Sequence, residues 1–179
     1  MPDILTLRGR NALSVFRLQK LHHALGAGTG GRKTAGSIAG IGAEYWHFVA
    51  LKTALSAGQR RVLERILTYG PAATRVSDSG QMFLVVPRLG TLSPWASKAT
   101  DIAHSCGLGA VERIERGIAF HVDTTNGHAL SAAQQAALLP LIHDRMTQTV
   151  LDSPQAANAL FHRVAPQPLT RVGLLAGGR

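Results

Sequence analysis

Hydrophobic positions follow two different periods along the chain, and the two periods alternate. Short runs of apolar, β-branched and aromatic residues are typical of strands, and four of them occur, at residues 4–7, 43–52, 81–89 and 111–123. Between and after these runs, apolar residues recur every three or four positions, which indicates amphipathic helices; these segments are 15–25, 57–69, 94–106 and 132–151. The pattern therefore predicts strand, helix, strand, helix, and then the same order again.

A serine stands at the start of each predicted helix. Its side-chain oxygen accepts a hydrogen bond from a backbone N–H of the first turn, so serine is a favoured N-cap; the four positions are Ser14, Ser56, Ser93 and Ser131. Pro94 follows Ser93 at the first helical position, where proline is well tolerated. Gly26 and Gly107 are expected to end their helices. Pro140 lies inside the last helix, where a kink is expected.

Short repeated segments suggest that the chain contains a duplication. The sequence ALSAGQ at 54–59 and the sequence ALSAAQ at 129–134 each open the helix that closes one half. We therefore predict an α+β fold in which two βαβα halves form one mainly antiparallel sheet with helices packed on a face. Residues 1–151 are predicted to form this domain, and residues 152–179 to begin a helical linker domain that is cut short. The glycine-rich segment 26–42 is predicted to be a mobile loop.

The charge of the chain narrows the choice of partners. Lys and Arg number 19 against 10 Asp and Glu, for a net charge of +9, which indicates either a nucleic-acid or other anionic partner or an acidic counterpart surface outside this chain. The arginines are spread over most elements, and the densest group, Arg60, Arg61 and Arg65, lies on one predicted helix. The aromatic, glycine-rich strand signature of an RNA-recognition motif is absent, so nucleic-acid binding is disfavoured. The single cysteine, the lack of a signal-peptide pattern and the lack of an apolar run of bilayer length predict a cytoplasmic protein without membrane contact.

The usual signatures of catalytic and metal sites are not met. The segment GAGTGGRKT departs from a phosphate-binding loop because Arg32 precedes Lys33 and because the segment follows a helix rather than a strand. The histidines lack the spacing of a helical metal motif. Cys106 has His104 two residues away, on a different helix face, so we expect Cys106 to be buried and inert. Carboxylates are spread along one strand without a clear pair. No catalytic, cofactor-binding or metal-binding residue is predicted.

The helix at 94–106 has two contrasting faces. One face is predicted to pack on the sheet, and it consists of Trp95, Ala99, Ile102, Ala103 and Cys106. The opposite face is short-chained and polar, and it lies beside a helix N-terminus with partial positive charge. We predict that this polar face and its upstream flank dock on another domain; the candidate residues are Arg88, Ser93, Ser97, Lys98, Thr100 and Asp101.

Four segments together resemble one enzyme family. They are PRLGTLSPWASKATDIAHSCGL, LRGRNALSVFRLQKL, AEYWHFVAL and ERGIAFHV. They closely resemble the N-terminal region of the large, single-chain phosphoribosylformylglycinamidine synthases of proteobacteria, also called formylglycinamide ribonucleotide amidotransferases. The resemblance covers nearly the whole chain. The 22-residue segment differs mildly from the family pattern, at Ala96 and Ser105.

The resemblance implies a fragment of a purine-biosynthesis enzyme. The family uses ATP and magnesium to convert formylglycinamide ribonucleotide to the amidine, with ammonia taken from glutamine. Its synthetase domain and its glutaminase domain, which has a Cys-His-Glu triad, are expected partners outside this chain. The N-terminal domain resembles a dimer of the small companion subunit of split enzymes, and its implied role is to hold the domains together and shape the ammonia route. This fragment alone is expected to be inactive.

An alternative function from another class also stays open at this point. A stand-alone, ferredoxin-like basic module could bind RNA or a small anion. Salt-sensitive binding of oligonucleotides would favour that alternative, whereas an activity that requires further domains would favour the enzyme fragment.

Overall fold

A computed structural model of the chain describes residues 3–27, 38–70, 80–162 and 169. Within these residues, five strands alternate with four α-helices, and a 3₁₀ helix follows. In chain order the elements are β1 (Asp3–Asn11), α1 (Val15–Ala27), β2 (Ile38–Leu51), α2 (Ala57–Ile66), β3 (Gln81–Pro87), α3 (Pro94–Ser105), β4 (Val111–Thr124), α4 (Ala132–Ile142), β5 (Gln148–Leu151) and the 3₁₀ helix Gln155–Phe161. The predicted alternation of strands and helices is confirmed, with β5 as an addition.

The strands form one sheet in the order β1-β2-β4-β3-β5, and every neighbouring pair is antiparallel. The first half of the chain supplies β1 and β2, and the second half supplies β3 and β4. The two halves meet at the long β2–β4 pair, in which Tyr45 lies opposite Ile118 and His47 lies opposite Arg116. The predicted α+β class, with two βαβα halves in one antiparallel sheet, is confirmed.

The four α-helices pack on the sheet as two pairs, and each pair takes one helix from each half. Helices α1 and α4 share a core with the sheet that includes Leu25, Phe120 and Leu138. Helices α2 and α3 share a second core that includes Leu63 and Ala103. Because each core needs side chains from both halves, neither half can bury its apolar surface by itself.

The opposite face of the sheet has its own apolar cluster. Phe48, Leu84 and Ala119 alternate with the residues of the helical face, as the two-residue period of a strand requires, and Ala157 and Leu160 of the 3₁₀ helix pack on them. Residues 155–161 therefore lie on the same sheet as the preceding elements. The division of the chain into domains at residue 152 stays a prediction.

The repeated hexapeptide is a repeated helix start. Ser56 caps α2 and Ser131 caps α4, and in both cases the glutamine three residues later bonds back to the N-cap backbone to complete a capping box. Ser93 likewise accepts the N–H of Ala96 at the start of α3. Each such cap contributes about 1 kcal/mol to stability. The predicted starts of all three helices are confirmed.

The predicted helix from 132 to 151 was wrong in its second part. Helix α4 ends at Ile142, two residues after Pro140, and His143 is already extended. The carboxylate of Asp144 accepts the N–H of Met146 and the hydroxyl of Thr147, which stabilises a turn in place of another helical turn. The residues after the turn then pair with β3 as the edge strand β5.

The predicted loop 26–42 was also wrong in part. Residues 38–42 belong to β2 and pair with the end of β4, and Ile38 is buried in the core beneath α1 and α4. Small residues do not prevent strand formation here because β4 supplies a long partner with matching register. Gly26 lies within the last turn of α1. Residues 28–37 of the predicted loop lie outside the described residues.

Candidate functional site

A groove of about 570 Å³ lies on the helical face of the sheet, beside the start of α3. Its lining comes from β3, from β4, from the start of α3 with the segment before it, and from the start of β5 with the segment before it; it includes Arg88, Leu92, Ser93, Trp95, Arg116 and Met146. We call this space the Arg116 groove. Four separate parts of the chain form it, so it exists only in the folded molecule.

Aromatic rings from β2, from α3 and from the segment after α2 surround the guanidinium of Arg116. It lies 4.5 Å from the ring centroid of Tyr45, 4.5 Å from that of Trp95 and 5.9 Å from that of Tyr69. Its Nη1 donates a hydrogen bond of 3.1 Å to the Tyr69 hydroxyl. A cation held over ring faces in this way is stabilised by about 0.5–2 kcal/mol per favourable ring, so Arg116 is held in one place before any ligand arrives.

A buried histidine continues the hydrogen-bond chain that begins at Arg116. The Nε2 atom of His47 lies 2.7 Å from the hydroxyl of Tyr69. Burial, together with the nearby charge of Arg116, lowers the pKa of His47 from 6.5 to about 4, so the ring is neutral at pH 7. The hydroxyl of Tyr69 accepts from Arg116 and also forms the hydrogen bond to His47. Burial also raises the pKa of Tyr69, which keeps its hydroxyl protonated.

A smaller groove of about 310 Å³ lies on the other side of Trp95. Trp95 and Arg116 line both spaces, and Tyr69, Lys98 and Ile102 line the smaller one. The two grooves are therefore neighbours that share a wall. The cations that line them are Arg88, Lys98 and Arg116.

The structure places the six residues of the predicted docking face in different settings. Arg88 and Ser93 line the Arg116 groove, and Lys98 lines the smaller groove. Ser97 and Asp101 are exposed on α3. The hydroxyl of Thr100 is half-buried and accepts the N–H of Ile114.

Thr100 and Ser93 thus have structural partners inside this chain. Thr100 joins α3 to β4, and Ser93 both caps α3 and donates from its hydroxyl to Glu115. Burial raises the pKa of Glu115, although Arg113 and Ser93 favour its charged form. The residues of the predicted face that are left for contact with another domain are Arg88, Ser97, Lys98 and Asp101.

The predicted inward face of α3 was wrong in part. The buried residues of the helix are Ala96, Ala99 and Ala103, whereas Ile102 is 45% exposed. Trp95 is only half-buried, between the helix and the two grooves. A stripe of alanines lets the helix approach the sheet closely, and this close approach displaces the larger apolar residues to its sides.

Cys106 was expected to be buried, and it is exposed. It is the C-cap of α3, and Gly107 follows with a φ of +81° that turns the chain away from the helix axis. The cysteine therefore lies beyond the last turn that contacts the sheet.

A second polar cluster lies on the opposite face of the sheet around Glu44. Its carboxylate accepts hydrogen bonds from the indole of Trp46 at 2.7 Å and from the guanidinium of Arg8 at 3.1 Å, and Nε2 of His121 lies at 3.4 Å. Burial by itself would raise the pKa of Glu44, but these three partners together hold it below its usual value. The charge of Glu44 is therefore satisfied within the chain, and the cluster joins β1, β2 and β4.

Metal binding and membrane insertion find no support in the part of the chain that the structure describes. No three side chains of His, Cys, Asp or Glu converge there on a point that could hold a metal ion. Among the same residues, no helix combines the length and the apolar character that crossing a membrane requires.

Sequence reasoning missed Tyr45, His47, Tyr69 and Arg116 as members of one site. Tyr45 and His47 stand two positions apart in a predicted strand, which places them on one face. Their partner Arg116 is identified only by the register of β2 against β4.

Comparison with known protein families gives a match over most of the chain. The family model described as formylglycinamide ribonucleotide amidotransferase N-terminal matches residues 44–161. The matched region runs from β2 to the end of the 3₁₀ helix and includes α3, Arg116 and both grooves. It covers more than half of the chain, and it confirms the resemblance found in the sequence.

Proposed function

Because the chain belongs to the formylglycinamide ribonucleotide amidotransferase N-terminal family, which is part of an amidotransferase of purine biosynthesis, we propose that it acts as a docking domain. In this proposal it holds the synthetase and glutaminase domains of the parent enzyme together and helps to shape the route of ammonia between them. The parent chain would be cytoplasmic and would convert formylglycinamide ribonucleotide to formylglycinamidine ribonucleotide.

Exposed apolar residues around the Arg116 groove are the observation that supports this proposal most. Met146 is 75% exposed and Leu92 is 57% exposed, and both line the groove. Large apolar side chains grouped at a concave surface favour contact with another protein surface. The exposed Ser97, Lys98 and Asp101 of α3 lie on the same helix as Trp95, so a partner could cover the groove and the helix together.

The chemistry of the parent reaction is assigned to the other domains. ATP, Mg²⁺ and the glutamine-hydrolysing triad would belong to the synthetase and glutaminase domains, and this fragment alone would be inactive. The described residues offer no converging set of acidic ligands for Mg²⁺. The contribution of this chain is to position domains and to exclude water from their junction.

The docking role can be tested with Lys98→Ala and Asp101→Ala in the full-length parent enzyme. Both side chains are exposed, so neither change should alter the melting temperature of the isolated chain. If the face is covered by another domain, the loss of one partner of a desolvated pair should cost about 2–5 kcal/mol. We expect slower glutamine-dependent product formation, or glutamine hydrolysis that exceeds product formation.

The matched control for this experiment is Lys52→Ala. Lys52 is an exposed lysine just after β2. Wild-type turnover and coupling in the Lys98 and Asp101 variants, together with wild-type behaviour of the control, would show that this face of α3 is merely solvated.

The alternative function, a basic module for RNA or a small anion, has one observation in its favour. Arg88 and Arg116 line the same groove in a chain with a net charge of +9. Such a module would bind oligonucleotides or phosphate by itself, with an affinity that falls steeply as salt is added. Titration of the isolated chain with a single-stranded oligonucleotide at two salt concentrations separates this alternative from the docking domain.

A further inference from the structure

We propose that the Arg116 groove receives a carboxylate-bearing loop of a partner domain, and that Arg116 is the cation that receives the carboxylate. This inference rests on the proposed docking function and adds the chemistry of the segment that docks. The occupant would combine an aspartate or glutamate with a neighbouring apolar residue.

The lining of the two grooves is positively charged. Arg88, Lys98 and Arg116 line them, and none of the described residues that line either groove is acidic. Other arginines of the chain do have carboxylate partners, since Arg8 pairs with Glu44 and Arg113 pairs with Glu115. Within the described ranges no ion pair joins Arg116 to a carboxylate, so the side chains that line the groove carry a net positive charge.

Aromatic rings and a hydrogen bond hold the side chain of Arg116 in place. Its guanidinium lies over the ring faces of Tyr45 and Trp95. It also donates a hydrogen bond to the hydroxyl of Tyr69. A guanidinium offers five N–H donors in a planar fork that matches a carboxylate with two parallel bonds. Since the rings have already immobilised this side chain, little side-chain entropy remains to be lost when a carboxylate binds.

The neighbouring His47 is neutral at pH 7. His47 is buried next to Arg116, and its ring lies close to the same three aromatic residues; among the described residues, Arg116 is the charged group that lowers its pKa. At neutral pH the charge beside these three rings is therefore that of Arg116, and the hydroxyl of Tyr69 is hydrogen-bonded to both Arg116 and His47.

The apolar part of the groove lining favours a protein segment over a free anion as the occupant. Val85, Ile118, Leu92 and Met146 form apolar walls of the same groove. A free phosphate ion would leave Leu92 and Met146 in water, whereas a loop with an apolar side chain next to its carboxylate would cover them. The volume of about 570 Å³ lies within the range of about 300–1,000 Å³ that is usual for binding clefts.

The test measures binding between this chain and a separately produced polypeptide that contains the synthetase and glutaminase domains of the parent enzyme. Isothermal titration calorimetry compares the wild-type chain with Arg116→Gln and Arg88→Gln. Arg60→Gln is the control, because Arg60 pairs with Glu64 on the exposed surface of α2. We expect Arg116→Gln to weaken binding by about tenfold or more and Arg88→Gln by a smaller factor, while the control keeps wild-type affinity.

A cross-linking measurement identifies the occupant directly. The change Leu92→p-benzoylphenylalanine places a photo-crosslinker at the exposed rim of the groove. Irradiation of the complex followed by mass spectrometry should identify a partner peptide that contains Asp or Glu close to the linked residue. This measurement and the Arg88 variant also decide the matter if Arg116→Gln fails to fold.

The possible results distinguish the carboxylate-docking inference from the proposed docking function. Wild-type affinity of a folded Arg116→Gln chain, or a linked peptide without a carboxylate, would overturn the carboxylate-docking inference and leave the docking domain standing. Absence of any binding by the wild-type chain would overturn both. Saturable binding of inorganic phosphate to the isolated chain, lost in Arg116→Gln, would assign the groove to a free anion and overturn the inference as well.

Discussion

At the scale of single residues, the register of β2 against β4 decides which polar side chains meet. His47 lies directly opposite Arg116, and Tyr69, which follows α2, supplies the hydroxyl between them. The sequence shows each of these residues but not the pairing of the strands. For this reason the candidate residues on α3 were predictable from one short segment, whereas the set around Arg116 was not.

The buried His47 should make stability depend on pH. Its pKa is about 4 in the folded chain and 6.5 in its ordinary state, so between these values the unfolded chain binds a proton that the folded chain does not. The free energy of unfolding should therefore fall as the pH drops from about 6.5 towards 4, by at most about 1.4 kcal/mol per pH unit from this residue. Urea denaturation at several pH values in this window measures the slope.

A variant comparison is needed because Glu115 acts in the opposite direction. Burial raises the pKa of Glu115, so its contribution to stability decreases as the pH rises above its ordinary value of 4.5. We expect His47→Gln to lose the dependence that is due to His47, and His128→Gln, at an exposed histidine, to retain it. Equal slopes in the two variants would show that His47 is not the group that titrates.

At the scale of elements, α3 shows what a sequence pattern can and cannot predict. Its start at Ser93 and Pro94 and its end before Gly107 were predicted from local capping preferences, which depend on neighbouring residues alone. Its inward face was not, because the larger residues Ile102 and Cys106 suggested the wrong phase. Which stripe is buried depends on how closely the helix approaches the sheet, and that distance is a property of the packed molecule.

The buried stripe of α3 should respond to substitution differently from its flank. Ala103→Leu adds three carbon atoms to a fully buried position and should destabilise the chain by about 1–3 kcal/mol. Ile102→Ala removes an apolar side chain that is 45% exposed and should cost less than about 1 kcal/mol. Chemical denaturation of the two variants gives both values, and a larger loss for Ile102→Ala would mean that the helix is packed with the other phase.

The end of α4 illustrates a second limit at the same scale. The helical continuation over residues 143–151 was predicted from apolar spacing. Asp144 instead accepts local hydrogen bonds that stabilise a turn, and the residues after it gain partners on β3. The partner strand β3 is distant in the sequence, so no local pattern could indicate this pairing.

At the scale of the whole molecule, the two halves are interdependent. The repeated capping hexapeptide and the alternation of elements were enough to predict two βαβα halves in one sheet. The sequence could not predict that each core takes one helix from each half, because this depends on how the helices pack on the assembled sheet. The Arg116 groove lies on the central strand β4, beside the start of α3, so its shape depends on both halves.

The central claim is that this chain is a docking domain without catalytic activity of its own, and reconstitution in trans tests it most directly. A polypeptide with the synthetase and glutaminase domains but without this domain is assayed for glutamine-dependent formation of formylglycinamidine ribonucleotide, with and without the purified chain. We predict that product formation, matched by glutamine hydrolysis, appears only when the chain is added, and that the chain alone hydrolyses neither ATP nor glutamine. Full, coupled activity of the polypeptide without the chain, or turnover by the chain alone, would contradict the account.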